Sequence, residues 1–180
     1  MIVHGGADCV FSWFGEDEEE QEEFVRRTAF DERQKERHVL ATRVNFLLNV
    51  TKVGENAFSY AVNLVVVDFP DGVERIGNDA FFGCTSLTTV SFPTMLTAIG
   101  EYAFHYCISL ENVDLLHTNF QELGEGVVTE CENLKSMTIP DSLQTLGGEV
   151  IRGSSKLVPS NVAVWEEYTV VAYLRSQQNN

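Results

Sequence analysis

"IGNDAFFGCTSLTTVSFPTMLTA", residues 76–98, runs straight into "IGEYAFHYCISLENVDLLHTNFQE", residues 99–122. Each stretch sets out the same series: aliphatic, glycine, Ala-Phe, cysteine, leucine, valine. Working outward, glycine stands at 54, 77, 100, 124 and 147, at intervals of 23, 23, 24 and 23 residues. It always follows an aliphatic residue: Val53, Ile76, Ile99, Leu123, Leu146. Eight residues beyond each aliphatic come Ala61, Cys84, Cys107, Cys131 and Ser154, and eleven beyond come Leu64, Leu87, Leu110, Leu134 and Leu157. Fourteen beyond are Val67, Val90, Val113, Met137 and Ser160, and proline closes three units at 70, 93 and 140. Agreement in this many columns identifies a repeat array.

A period of about 20–29 residues with Leu-x-x-Leu-x-Leu inside each unit is that of a leucine-rich repeat, with one short strand per unit. The pattern reads "LVVVDF" (64–69), "LTTVSF" (87–92), "LENVDL" (110–115), "LKSMTI" (134–139) and "LVPSNV" (157–162), with "ATRVNF" (41–46) one period upstream. Six strands are therefore expected, the first from a half repeat, with full units starting at 53, 76, 99, 123 and 146. The whole unit resembles the BspA-like leucine-rich repeat, roughly Ile-Gly-x-x-Ala-Phe-x-x-Cys-x-x-Leu-x-x-Val-x-Ile-Pro, across residues 41–162. Such repeats occur in surface adhesins of bacteria and parasitic protists, so the resemblance implies recognition of protein without saying which protein.

The columns have physical assignments. One unit cannot bury its apolar side alone, and stacking makes a continuous core. In "LTTVSF", Val90 and Phe92 point inward while Thr89 and Ser91 alternate outward. Glycine permits a tight corner, and proline, lacking an N–H, ends the strand. The expected fold is an α/β solenoid: a right-handed leucine-rich superhelix with a narrow parallel sheet. The cysteine column is read as small apolar filling, equivalent to Ala61. Zinc would need four converging ligands, and no CxxC pair supplies them.

The flanks are read as caps, which a solenoid needs at its open ends. Residues 1–15 form an aperiodic N-terminal segment. Residues 16–40 open with the acidic run "EDEEEQEE" and become basic, the polarity of a capping helix. Residues 163–180 are read as a C-terminal cap with a polar tail, Trp165, Tyr168, Val171 and Leu174 covering the last repeat. Ser154 and Ser160 are read as decay of the pattern. Caps at both ends argue against a fragment.

Composition narrows the function. The 180 residues carry 27 acidic against 12 basic side chains, a net charge of −15. That disfavours nucleic acid and anionic lipid as partners. No apolar stretch approaches the ~20 residues of a membrane span, and the N-terminus lacks the features of a secretory signal. The four histidines share no motif with a nucleophile, and phosphate-loop and metalloprotease signatures are absent. The expectation is a protein that is not an enzyme and has no cofactor or metal. It would use its strand side, Val66, Asp68, Thr89, Ser91, Asn112, Asp114, Ser136 and Thr138, to engage a protein or peptide, with a basic surface suited to it. A surface adhesin and a structural spacer are the alternatives. A monomer is expected, with the C-terminal segment as a dimer surface if there is one. Location is read as intracellular, from the missing signal and free cysteines, with the cell surface as alternative.

Overall fold

The computed structural model describes residues 2–4, 10–12, 42–46, 50–157, 170–172 and 174–175. The expected capping helix at 16–40, the sixth strand beyond residue 157, and Trp165 and Tyr168 lie outside them. The repeats coil into a parallel-strand β-solenoid of about four turns, with each unit contributing the same set of walls.

The first wall holds the three-residue strands β3 (Arg43–Asn45), β5 (Val66–Asp68), β7 (Thr89–Ser91), β9 (Asn112–Asp114) and β11 (Ser136–Thr138). They pair in parallel with matching columns opposed, Val67 against Val44 and Val90, and Met137 against Val113. β1 (Ile2–His4) and β2 (Val10–Ser12) extend this wall, β1 antiparallel to β2 and β2 parallel to β3. The second wall is a ladder of two-residue strands: β4 (Lys52–Val53), β6 (Arg75–Ile76), β8 (Ala98–Ile99), β10 (Glu122–Leu123) and β12 (Thr145–Leu146).

The α component of the expected α/β class is absent from the repeats. Among the described residues only 170–172 and 174–175 are helical. Backbone bonding explains why. In the segment after each glycine, alternate amides bond locally, as Ala57 to Gly54 O, Ser59 to Asn56 O and Ala61 to Phe58 O. The amides between them point to the next unit: Asn56 to Asn78 O (2.9 Å), Phe58 to Ala80 O (2.7 Å) and Tyr60 to Phe82 O (2.6 Å). A helix would use every interior amide within one segment. Here half are exported, producing tandem turns that form a third wall and bond unit to unit. The geometry requires a left-handed backbone three and seven residues beyond the aliphatic, at Asn56 and Tyr60, Tyr102 and Tyr106, Gly126 and Glu130.

The interior is filled by columns. Phe58, Phe81 and Phe104 stack face to face with centroids 5.2 Å apart. A second column, Phe46, Phe69 and Phe92, meets the first edge-on at 5.8–5.9 Å, an arrangement favoured by ring quadrupoles. The third unit carries one extra residue and lacks the proline. Thr118 turns inward and donates its hydroxyl to Leu115 O at 2.7 Å, which restores the register. Phe120 then occupies, fully buried, the column of Leu96. The corner glycines are needed for close approach. A Cβ on Gly124 would lie 2.5 Å from both Glu101 N and Gly100 C of the neighbouring turn.

Candidate functional site

The eight strand-side residues singled out in the sequence come together on the outer face of the first wall. Val66 lies opposite Thr89 and Asp68 opposite Ser91; Asn112 lies opposite Ser136 and Asp114 opposite Thr138. Val66 and Thr138 are partly covered and the other six are exposed. Acid and hydroxyl alternate along the outer column, so no two carboxylates face each other across adjacent strands, where like charges would repel. Ser91 Oγ donates to Asp68 Oδ1 at 3.1 Å, Ser136 Oγ to Asn112 Oδ1 at 2.7 Å, and Thr138 Oγ1 to Asp114 Oδ1. The Thr138 bond, with a second from Leu116 N–H, holds the Asp114 carboxyl below its ordinary range. Arg43 pairs with Asp68 at 3.6 Å. β7 and β9 adjoin without a full ladder, Glu111 N–H reaching Thr88 O only at 3.5 Å.

A shallow groove follows the second wall, floored by Gly54, Gly77, Gly100 and Gly124 and flanked by Lys52, Arg75 and Glu122. Arg75 spans two units to reach Glu122 at 3.4 Å, passing over the small Ala98.

The sequence reading missed the aromatic side chains on the third wall. Tyr60 meets Phe82 with centroids 5.2 Å apart, Phe82 stacks on His105 at 5.0 Å, and His105 touches Tyr106 at 4.6 Å and Tyr102 at 5.6 Å. The Tyr102 hydroxyl bonds the Glu125 carboxylate. Large side chains of one unit lie over glycines of the next: Tyr60 over Gly83, Tyr102 over Gly126, Glu130 over Gly153. That alternation is legible once the columns are aligned. The tyrosines at 60, 102 and 106 occupy places where the turn calls for Gly, Asn or Asp, and this was the available signal.

Cys84, Cys107 and Cys131 are free and buried, but they do more than fill space. Each thiol donates to the carbonyl of the phenylalanine one turn back: Phe58 at 3.1 Å, Phe81 and Phe104 at 3.2 Å. Ser154, read above as decay, makes the same bond to Val128 O at 2.8 Å. It continues the column instead of ending it. Burial pushes the Cys84 and Cys131 thiols up to about 12 and Cys107 well above its ordinary value, so none is a thiolate nucleophile near neutral pH. Among the described residues no three His, Cys, Asp or Glu side chains converge as metal ligands. No helix among them is long and apolar enough to cross a membrane.

Comparison with known proteins gives one family and one fold. The family model described as "BspA type Leucine rich repeat region" matches residues 41–170 in six copies. A T. pallidum leucine-rich repeat protein is similar at 30% identity and TM-score 0.62, over 65% of this chain and 56% of that one. A leucine-rich repeat protein from Bacteroides ovatus is similar at 30% identity and TM-score 0.60, over 68% of this chain and 32% of that one. A leucine rich cell surface protein from Faecalibacterium prausnitzii shares the fold at 23% identity and TM-score 0.50, over 66% and 38% of the two chains. The matches thus span little more than half of the first of these proteins and about a third of the second. Among curated proteins none matches.

Proposed function

The chain belongs to the BspA-type leucine-rich repeat family, and from that premise we propose that it is a non-catalytic protein-interaction module whose strand-side face receives a protein or peptide with a basic surface. The observation that carries this reading is the outer column of the first wall. Asp68 and Asp114 are exposed there, each held by the hydroxyl of the next strand, Ser91 or Thr138. Strands ~4.8 Å apart offer regularly spaced acceptors, and carboxylates already oriented lose little side-chain freedom when a cation arrives. A binding role is further supported by the sealing of Cys84, Cys107 and Cys131 in the core, which withdraws these three thiols from nucleophilic chemistry. Outward acids repel phosphates, which disfavours nucleic acid. The coil is taken as right-handed, the hand of nearly all parallel crossover connections.

Val170 and Leu174 are buried against the repeat core, which removes them from any dimer surface and favours a monomer. A second reading is an adhesin-type protein of the cell surface; the similar F. prausnitzii protein is described as a leucine rich cell surface protein. Buried thiols survive in an oxidising exterior as well as in a reducing interior. The free cysteines therefore no longer favour the intracellular location.

The test is affinity capture with the full chain, followed by Asp68→Lys and Asp114→Lys together. At least a tenfold loss of affinity for the captured partner is expected, with circular dichroism unchanged. Undiminished capture by the double variant overturns the strand-face assignment.

A further inference from the structure

The repeats supply their own control for the third wall. At the position six residues beyond the aliphatic stand Ser59, Phe82, His105, Thr129 and Arg152, of which Thr129 is buried and the other four are partly or fully exposed. The fold is satisfied there by serine, threonine or arginine, so the aromatic rings of the second and third units are not a folding requirement. The neighbouring position is more telling. It has φ of +60° at Tyr60, +69° at Gly83, +59° at Tyr106, +58° at Glu130 and +73° at Gly153. A left-handed backbone is strained for a non-glycine residue, and glycine, used in two of these units, avoids it. Tyrosine nevertheless sits there twice, and its rings stay outside: Tyr60 is 60% exposed and Tyr106 48%. Strain kept where burial does not repay it points to a role at the surface.

The surroundings specify what the rings would meet. Glu125 is bonded to Tyr102, and Glu130 and Asp79 both act on the His105 ring. Asp79 lies within reach of Glu55 and Glu101, and its carboxyl is pushed up by partial burial and by those two neighbours. Arg152, a cation on this wall, pairs with Glu149 at 2.8 Å and also lies in the field of Glu130. Aromatic faces attract cations, and carboxylates at their rim add charge-assisted hydrogen bonds. A neutral or acidic partner would satisfy only the rings.

We propose that Tyr60, Phe82, His105, Tyr106 and the carboxylates around them form a second docking surface, distinct from the strand face, for arginine-bearing segments of a protein partner. Guanidinium groups stack on the rings while Glu125, Glu130 and Asp79 accept their N–H groups. Arginine suits this wall better than lysine, because its planar fork both stacks and bonds in two directions.

The experiment titrates the isotope-labelled full chain with a decapeptide alternating Arg and Gly, and with the same peptide carrying neutral citrulline in place of Arg. Backbone amide shifts are followed by NMR. Saturable shifts are expected at residues 60, 82, 105 and 106 with the arginine peptide, and at least tenfold weaker binding with citrulline. Tyr60→Asn with Tyr106→Asn removes the rings but tolerates the left-handed backbone, and should weaken binding at least tenfold. Asp68→Asn with Asp114→Asn should leave these shifts within twofold, so this surface and the strand face stand or fall separately. Should the tyrosine variant not fold, Glu130→Gln with Glu125→Gln decides, with about fivefold loss expected. Equal binding of the citrulline peptide, shifts confined to the strand face, or full binding by a folded tyrosine variant overturns the proposal. Shifts at the rings produced by maltohexaose and not by the arginine peptide overturn it in favour of a carbohydrate surface.

Discussion

Replacing Gly124 by alanine separates two accounts of the glycine column. If glycine were there only for flexibility, alanine would stabilise the fold by ~0.4–1 kcal/mol through a less disordered unfolded chain, because this backbone does not need a positive φ. Packing predicts the opposite sign. The new Cβ would sit 2.5 Å from Glu101 N, 2.5 Å from Gly100 C and 2.8 Å from Gly100 O, all backbone atoms that cannot rotate away. Ordinary contact requires the two turns to part by roughly 1 Å. The bonds that tie them, Gly124 N to Ile99 O at 2.9 Å and Tyr102 N to Glu125 O at 2.8 Å, would then be stretched beyond hydrogen-bonding range. One or two bonds at ~1 kcal/mol each, with ~1–3 kcal/mol of overpacking, outweigh the unfolded-state gain. The expected net loss is ~2–3 kcal/mol, measured by urea unfolding followed by far-ultraviolet circular dichroism. Gly148→Ala is the matched control, since nothing lies within 4 Å of its Cβ; it should be neutral or up to ~1 kcal/mol more stable. The reasoning fails if Gly124→Ala is as stable as the parent, or if both variants lose stability alike.

Cys107→Ser should cost less than Cys107→Val in the same unfolding assay, because serine keeps the donor to Phe81 O, as Ser154 does to Val128 O; valine doing better would refute a bonding role for the column. Native protein at pH 8 should leave Cys84, Cys107 and Cys131 unmodified by iodoacetamide over hours, and rapid native labelling would contradict their burial. Thr138→Val removes the main cause of the depressed Asp114 carboxyl, so Asp114 should titrate nearer the ordinary ~3.9 by NMR. A folded pKa below the unfolded one stabilises above the unfolded value and loses that contribution as pH falls through the folded one. The difference between parent and variant should therefore fade below about pH 4, and an unmoved Asp114 titration would refute the assignment.

The residue sequence by itself determined the period, the strand that each unit contributes and the outward series from Val66 to Thr138. These follow from identity repeated at fixed spacing, since a stacked column admits one size and polarity in every unit. Only the tertiary structure decided which backbone amides leave the unit. That choice made the third wall a stack of turns instead of a helix, and Ala-Phe after glycine is compatible with either until a neighbouring unit offers carbonyls. It also turned Ser154 from apparent decay into a continued column, because a thiol and a hydroxyl share a donor that apolar bookkeeping ignores. The aromatic surface was legible only in part, for a related reason. Tyr60 and Tyr106 share one column and Phe82 and His105 the next, but which rings meet across those columns was decided only when the coil stacked the units.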